Sequence, residues 1–174
     1  MEPLANLLFF LISGILSLIF LLLFVVPIVY GAPFEPTDRK TLRKMIEFAK
    51  VKSGEKVVDL GSGSGKIVIE FAKLPNVKES HGFEINPLLV LSSRRKIKKS
   101  NLKGKAFIHW KNFWKQDLSE YDVVNSFQIG YVMGKLEKKL RRELKKGSRI
   151  ISNTWKFPNL KLKKHEGDVY LYRI

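Results

Sequence analysis

An apolar run ends in an acid and passes straight into three alternating glycines: Val57-Val58-Asp59-Leu60-Gly61-Ser62-Gly63-Ser64-Gly65. No other stretch constrains this chain as much. A short apolar segment bounded by turn residues reads as a buried strand. Glycine tolerates the left-handed backbone of a tight turn and lets the main chain approach a ligand closely. A helix is expected from about Lys66 to Lys73, so the loop feeds a helix N-terminus whose free N–H groups face whatever binds there. Spacing narrows the ligand. A phosphate loop follows G-x-x-x-x-G-K-[ST], but Gly61 stands only four positions before Gly65, and Ile67 follows Lys66 where a magnesium-binding hydroxyl belongs. A dinucleotide fingerprint follows G-x-G-x-x-G, and here the third glycine comes one position early.

The rest of the chain alternates strand and helix. Thr37 or Asp38 can cap a helix in which Leu42, Met45, Ile46 and Ala49 recur at amphipathic spacing to about Lys50, where Ser53-Gly54 breaks the pattern. Further strands are expected over residues 80–85, 106–110, 122–127 and 149–154. Asn86-Pro87 opens a helix that runs to about Ser100, with Asn as cap and Pro in the first turn. A helix from about Val132 to Leu144 puts Leu136, Leu140 and Leu144 on one stripe, with Glu137/Arg141 and Lys139/Glu143 expected as ion pairs on its outside. Residues 160–174 read as a hairpin around Glu166-Gly167-Asp168, with no helix before its two strands. Such alternation builds an α/β fold, a Rossmann-like parallel sheet with helices on both faces, here closed by a C-terminal β-hairpin. Ligands of such sheets bind at the carboxyl ends of the strands.

Nothing charged stands between Leu7 and Tyr30, a run interrupted only by Ser13, Gly14, Ser17 and Pro27. At ~1.5 Å per helical residue it spans a hydrocarbon core of ~30 Å with some tilt. A cleaved signal peptide fits poorly, because the segment ahead carries Glu2 and no Lys or Arg, the run is long, and no small-x-small site follows. Residues 1–31 are therefore expected to form a transmembrane anchor in the lipid bilayer, and residues 32–174 the domain. Arg39, Lys40, Arg43, Lys44 and Lys50 follow the run and no cation precedes it, which puts the N-terminus outside and the domain in the cytoplasm. The net charge is +16, with cations clustered over 94–99, 135–146 and 161–164. Three readings of them stay open: exposed helix faces that are simply Lys-rich, attraction to anionic lipid head groups, and nucleic-acid binding. With no cysteine and with His81, His109 and His165 isolated, no metal is expected.

The spacing that remains, acid-x-G-x-G-x-G, resembles the first motif of class I methyltransferases, in which the loop passes beneath the methionine and ribose of S-adenosyl-L-methionine. Asp59, Gly61, Ser62, Gly63 and Gly65 then line the cofactor. Glu84 ends the second strand 25 residues after Asp59, where a carboxylate accepts hydrogen bonds from ribose hydroxyls, with Ile85 and Asn86 beside it. Asn112 is placed to meet the adenine amino group and Phe113 to cover the ring. The resemblance continues through Pro33-Phe34-Glu35-Pro36-Thr37, Gly82-Phe83-Glu84-Ile85-Asn86-Pro87-Leu88-Leu89-Val90-Leu91, His109-Trp110-Lys111-Asn112-Phe113-Trp114-Lys115, Gly147-Ser148-Arg149-Ile150-Ile151-Ser152 and the closing Val169-Tyr170-Leu171-Tyr172. These blocks are similar to the membrane-anchored seven-strand protein-lysine methyltransferases, a family that includes the enzymes of the ATP synthase c subunit and the adenine nucleotide translocase and small prokaryotic members. That family usually has Asp where Ser64 and Asn112 stand. No Asn-Pro-Pro-Tyr motif follows the fourth strand, which argues against methylation of amide nitrogen or adenine N6.

The resemblance implies lysine methylation on a membrane-embedded protein, with Phe34 to Thr37 closing over the cofactor and Pro36 and Thr37 contacting it. Such an enzyme must align an acceptor nitrogen with an already activated methyl group. It must also let a lysine lose its proton, which desolvation favours. Asn125, Gln128 and Tyr131, beyond the fourth strand, are the candidates for the acceptor site. Tethering enzyme and substrate to one membrane raises their effective concentration. The alternatives are an RNA methyltransferase using the basic surface, a lipid or small-molecule methyltransferase, and a non-catalytic membrane-tethered module.

Overall fold

The computed structural model describes residues 2–21 and 37–174. The chain divides into two units, residues 1–34 and 35–174. In the first, α1 (Glu2–Phe20) is an apolar helix whose large side chains from Leu4 to Phe20 are exposed. Its 19 residues extend ~28 Å at ~1.5 Å each. Among the described residues no helix is long and apolar enough to cross a membrane. Of the run from Leu7 to Tyr30 expected to do so, the part up to Leu21 is described. Residues 22–36, which hold the proline connector and Pro36, lie outside the described residues.

The second unit opens with α2 (Arg39–Ala49), which Asp38 caps by accepting from the N–H groups of Lys40 at 2.8 Å and Thr41 at 3.0 Å. It buries Leu42, Met45, Phe48 and Ala49. Then come β1 (Glu55–Leu60), α3 (Lys66–Ala72), β2 (Val77–Glu84), α4 (Pro87–Lys99), β3 (Ala106–Trp110) and a 3-10 turn (Phe113–Lys115). The chain closes with β4 (Val123–Ser126), α5 (Gly130–Glu143), β5 (Arg149–Asn153), β6 (Leu162–Glu166) and β7 (Val169–Arg173). One seven-stranded sheet runs β3-β2-β1-β4-β5-β7-β6. Its first five strands are parallel, and β7 lies antiparallel to β5.

Alternation along each strand sends side chains to opposite faces, and here both faces are apolar. Val57, Val123 and Ile151 pack with α2 and α3, whereas Val58, Leu60, Val124 and Ile150 pack with α5. The strand order departs in opposite directions from β1 and β4, so the crevice at their carboxyl ends is where this topology takes a ligand. The tail is the expected hairpin, turning at Gly167-Asp168, and β5 reaches β6 without a helix.

One expectation is corrected. The ion pairs of α5 are not on its outside: Glu137 and Lys139 are 3 % and 6 % exposed. Glu137 pairs with Arg141 at 2.9 Å and also accepts the Asn159 N–H at 2.9 Å. Lys139 pairs with Glu143 at 2.6 Å and donates to the Gln116 carbonyl at 2.6 Å. Two irregular segments drape over the flanks of the leucine stripe. Their backbone N–H and C=O groups need buried partners, which these side chains supply.

Candidate active site

The glycine loop is pressed against β2 and α4. The N–H groups of Gly61 and Ser62 both donate to the Phe83 carbonyl at 2.9 Å. A Cβ on Gly82 would stand 2.5 Å from Ser62 Cβ, and one on Gly65, at φ +75°, 2.9 Å from Ser93 Cβ. The Ser93 hydroxyl donates to the Gly63 carbonyl at 3.0 Å, and the Lys66 ammonium donates to the carbonyl of buried Thr37. Thr37, the one described residue of the proposed closing segment, is therefore tied to the start of α3.

Two buried acids flank this loop. Glu84 Oε2 accepts the Gly63 N–H at 2.8 Å, and its Oε1 accepts those of Ile85 and Asn86, each at 2.8 Å. Asp59 is 3 % exposed, and its carboxyl makes no hydrogen bond among the described residues. Burial first, and the charge of Glu84 second, push that carboxyl well above the ordinary carboxylate range. Asn86 reaches the site through its backbone, because its Oδ1 caps α4 by accepting from Leu88 at 3.0 Å and Leu89 at 3.4 Å. Ile85 is half-buried. Asn112 Oδ1 accepts the Trp114 N–H at 3.0 Å and so caps the 3-10 turn. Phe113 is buried in the core cluster with Phe83 and Leu118.

At the carboxyl end of β4, Asn125 is the register partner of Asp59. Asn125 and Gln128 are buried, and Gln128 Nε2 donates to the Leu60 carbonyl at 2.6 Å. Among the described residues, both polar atoms of Asn125, Gln128 Oε1, Ser126 Oγ and Ser62 Oγ lack a hydrogen-bond partner. Buried polar groups are almost always paired, so a cluster of orphans at the switch point marks a place built for a polar ligand. Tyr131, in the first turn of α5, is 64 % exposed. The structure thus brings Asn125 and Gln128 to Asp59 and Gly61 and puts Tyr131 on the surface.

Sequence reasoning missed the far side of this end of the sheet. A cavity of about 440 Å³ opens between Thr37, Phe127, Asn153, Thr154 and Asp168. Thr154 holds a left-handed φ of +68°, which is rare for a β-branched residue. Trp155 packs on Gly130, where a Cβ would stand 2.6 Å from its ring. A signal was available. Ser152-Asn153-Thr154 ends an apolar strand in polar residues, as Asp59, Glu84 and Asn125 end theirs.

These groups fit S-adenosylmethionine, which carries a sulfonium, an α-ammonium and a ribose diol. Two buried carboxylates suit its cations and hydroxyls, and orphaned amide and hydroxyl groups suit its polar tail. Among the described residues no group of three His, Asp or Glu could hold a metal ion.

Comparison with known proteins agrees. A family profile described as the ANTKMT methyltransferase domain matches residues 59–164. A "Protein-lysine N-methyltransferase" of Saccharolobus islandicus (strain REY15A) is 39 % identical over 150 residues, covering 82 % of this chain and 93 % of that protein. A Homo sapiens lysine N-methyltransferase named for the c subunit of ATP synthase is 35 % identical over 127 residues, covering 73 % of this chain. The chain spans 53 % of that human protein. Among solved structures, an RNA methyltransferase from Salinibacter ruber in complex with S-adenosyl-L-homocysteine superposes with a TM-score of 0.73 at 30 % identity, over 80 % of this chain and 94 % of that one. A methyltransferase from Thiobacillus denitrificans, also with S-adenosyl-L-homocysteine, shares the fold at a TM-score of 0.54 and 20 % identity, over 68 % of this chain and 49 % of that one.

Proposed function

The chain belongs to the ANTKMT methyltransferase-domain family, and from that premise we infer that it is an S-adenosylmethionine-dependent protein-lysine N-methyltransferase whose acceptor protein stands at a membrane. One observation carries the reading. Glu84, Asp59 and the glycine loop are assembled at the carboxyl ends of β1 and β2, in a chain that matches 93 % of a protein-lysine N-methyltransferase.

When bound, S-adenosylmethionine supplies a methyl group already activated by its sulfonium. What the chain contributes is placement. Glu84, held by three backbone N–H groups, offers its remaining lone pairs to the ribose hydroxyls. Asp59 balances positive charge in a dry site. Asn125 and Gln128 carry amide oxygens without partners among the described residues, which can accept hydrogen bonds from an amine that reaches them. Burial of the acceptor lysine beside them lowers its pKa and releases the proton it must lose. Alignment of nucleophile and methyl group then provides most of the rate.

The membrane part of the reading rests on the exposed apolar side chains of α1 and on the uncharged run that continues in sequence to Tyr30. Cations follow that run and none precede it, which supports an outside N-terminus and a cytoplasmic catalytic unit. A tether of this kind favours a membrane-embedded substrate.

The test is calorimetric titration of the full chain with S-adenosylmethionine and S-adenosylhomocysteine, beside Gly63→Arg and Glu84→Ala. Methyl-labelled cofactor is then supplied with membrane fractions. Binding that both substitutions weaken, followed by label on lysine of a membrane protein, is the expected result. A folded chain that binds neither ligand overturns the reading. Label in added RNA instead would favour a second reading, for which the Salinibacter ruber structure and the basic surface speak.

A further inference from the structure

Three of the catalytic unit's exposed large apolar side chains lie where its charge is most one-sided. Leu88, Leu91 and Trp110 are 60 %, 48 % and 62 % exposed. Ala106, Ile108 and Trp110 alternate onto the same face of β3, and the first two pack with Val90 and Ile97 of α4. Trp110 therefore projects on the α4 side, where its indole N–H donates to the Ile85 carbonyl at 2.9 Å, just ahead of that helix. Leu88, Leu91 and Arg95 stand at i, i+3 and i+7, one stripe of α4. Arg94 beside them donates from Nε and Nη2 to the Ile108 carbonyl at 3.0 and 2.8 Å, so the stripe borders β3, an edge strand of the sheet.

From Ile85 to Gln116 the chain carries nine Lys or Arg and no Asp or Glu. None of the nine joins an ion pair among the described residues. A surface that is apolar at its centre and wholly cationic around it complements an anionic lipid surface. Leucines enter the acyl boundary, an indole sits at head-group depth, and Lys and Arg meet lipid phosphates. Nucleic acid would use the cations but would gain nothing from two exposed leucines.

We propose that Leu88, Leu91 and Trp110, ringed by Arg95, Lys98, Lys99 and Lys111, form an interfacial surface by which the catalytic unit docks on an anionic bilayer. It rests on the membrane reading above and adds a second contact, made by the folded unit itself. The surface adjoins the carboxyl ends of β2 and β3, the end of the sheet that carries Glu84. Docking there holds the cofactor cleft against the membrane, where a lysine just outside the bilayer can reach it.

The full chain is mixed with phosphatidylcholine vesicles bearing brominated acyl chains, with and without phosphatidylserine. Tryptophan quenching is compared between the wild type and Trp110→Phe, which isolates Trp110 from Trp114 and Trp155, and flotation is followed in parallel. Quenching of the Trp110 component that grows with phosphatidylserine is expected. The growth is lost in Arg95→Glu/Lys98→Glu/Lys99→Glu, and the quenching itself in Leu88→Ser/Leu91→Ser. Unchanged thermal midpoints confirm that these exposed substitutions leave the fold intact. A chain that floats while its Trp110 stays unquenched overturns the docking surface and leaves the tether standing. Flotation on anionic vesicles alone, abolished by the leucine substitutions, supports the surface and removes the tether. Shielding of Trp110 by added RNA but not by lipid also overturns the proposal.

Discussion

Asp59 of β1 and Asn125 of β4 are register partners across the switch point of the sheet; both are buried, and both polar atoms of Asn125 lack a partner among the described residues. An acid so placed opposes its own ionisation. Burial, and then the charge of Glu84, raise its pKa well above 3.8. The folded state thus holds this proton more tightly than the unfolded chain does. The resulting stability is fully present below 3.8 and is lost as pH rises through the elevated folded value. Asp59→Asn is expected to remove that loss, seen as a flatter dependence of denaturant stability on pH from 3.8 upward. The cationic cofactor favours the ionised acid, so the same variant binds S-adenosylmethionine on the order of 10-fold more weakly. S-adenosylhomocysteine, which lacks the sulfonium charge, suffers less. Equal losses for the two ligands would count against a charge role for Asp59.

Gly82 leaves the room that the glycine loop occupies, since a Cβ there would meet Ser62 Cβ at 2.5 Å. Overpacking of this kind costs about 1–3 kcal/mol. Gly82→Ala should lower stability by that amount in denaturant titrations and weaken cofactor binding, because the loop must move. Adding Ser62→Gly to the same chain removes the clashing atoms and should recover part of both. Independent, additive effects of the two substitutions would show that the contact is not the cause.

Glu84 is an acceptor for three N–H donors at once. Glutamine keeps the shape but turns an amide NH₂ toward one of those donors, leaving it unpaired at a cost of about 1–3 kcal/mol. Glu84→Gln is therefore expected to lower both stability and affinity for S-adenosylhomocysteine. If Gln left the affinity intact, the ribose role would fall, whatever happened to stability.

Much of this was legible in the sequence for a local reason. Strands buried on both faces contain continuous apolar runs, and Asp59 and Asn125 stand out because Val57-Val58 and Val123-Val124 directly precede them, whereas Glu84 closes a strand that also holds Lys78, Glu79, Ser80 and His81 and is picked out by its spacing after the glycine loop. Asn86-Pro87 announced α4 by its capping chemistry, and the structure shows that cap in place. The feature that differs, the ion pairs of α5, is decided by tertiary cover. Glu137 and Lys139 have the spacing of surface pairs, and only the segments folded over α5 bury them. After β3, the side-chain oxygen of Asn112 caps a turn and the ring of Phe113 lies in the core, local roles that a reading toward adenine does not supply. The cavity beside Asn153 and Thr154 depends on the hairpin turn approaching the end of β5, a contact between residues that no periodicity connects.

The pair Lys139–Glu143 joins stability to the site. It fixes the segment after β3, since Lys139 donates to the Gln116 carbonyl at 2.6 Å and Glu143 accepts the Leu118 N–H at 3.3 Å. That segment begins with Asn112. Burial alone would raise the Glu143 pKa, but hydrogen bonds from Lys139 and Arg142 outweigh it and hold the pKa below 4.5. The stability this supplies is present above 4.5 and is lost as pH falls through the lower folded value. Lys139→Met leaves Glu143 buried beside a lost partner and is expected to cost about 3 kcal/mol near neutral pH. It should also reduce the loss on acidification, because a carboxyl without its ammonium no longer has a strongly depressed pKa. Lys139→Met/Glu143→Leu replaces the pair by apolar groups and should recover most of the stability. It would still leave the Gln116 carbonyl without its donor, so cofactor affinity, measured by calorimetry, should recover less than stability does. Full recovery of both would show that the segment carrying Asn112 is held by packing rather than by this pair.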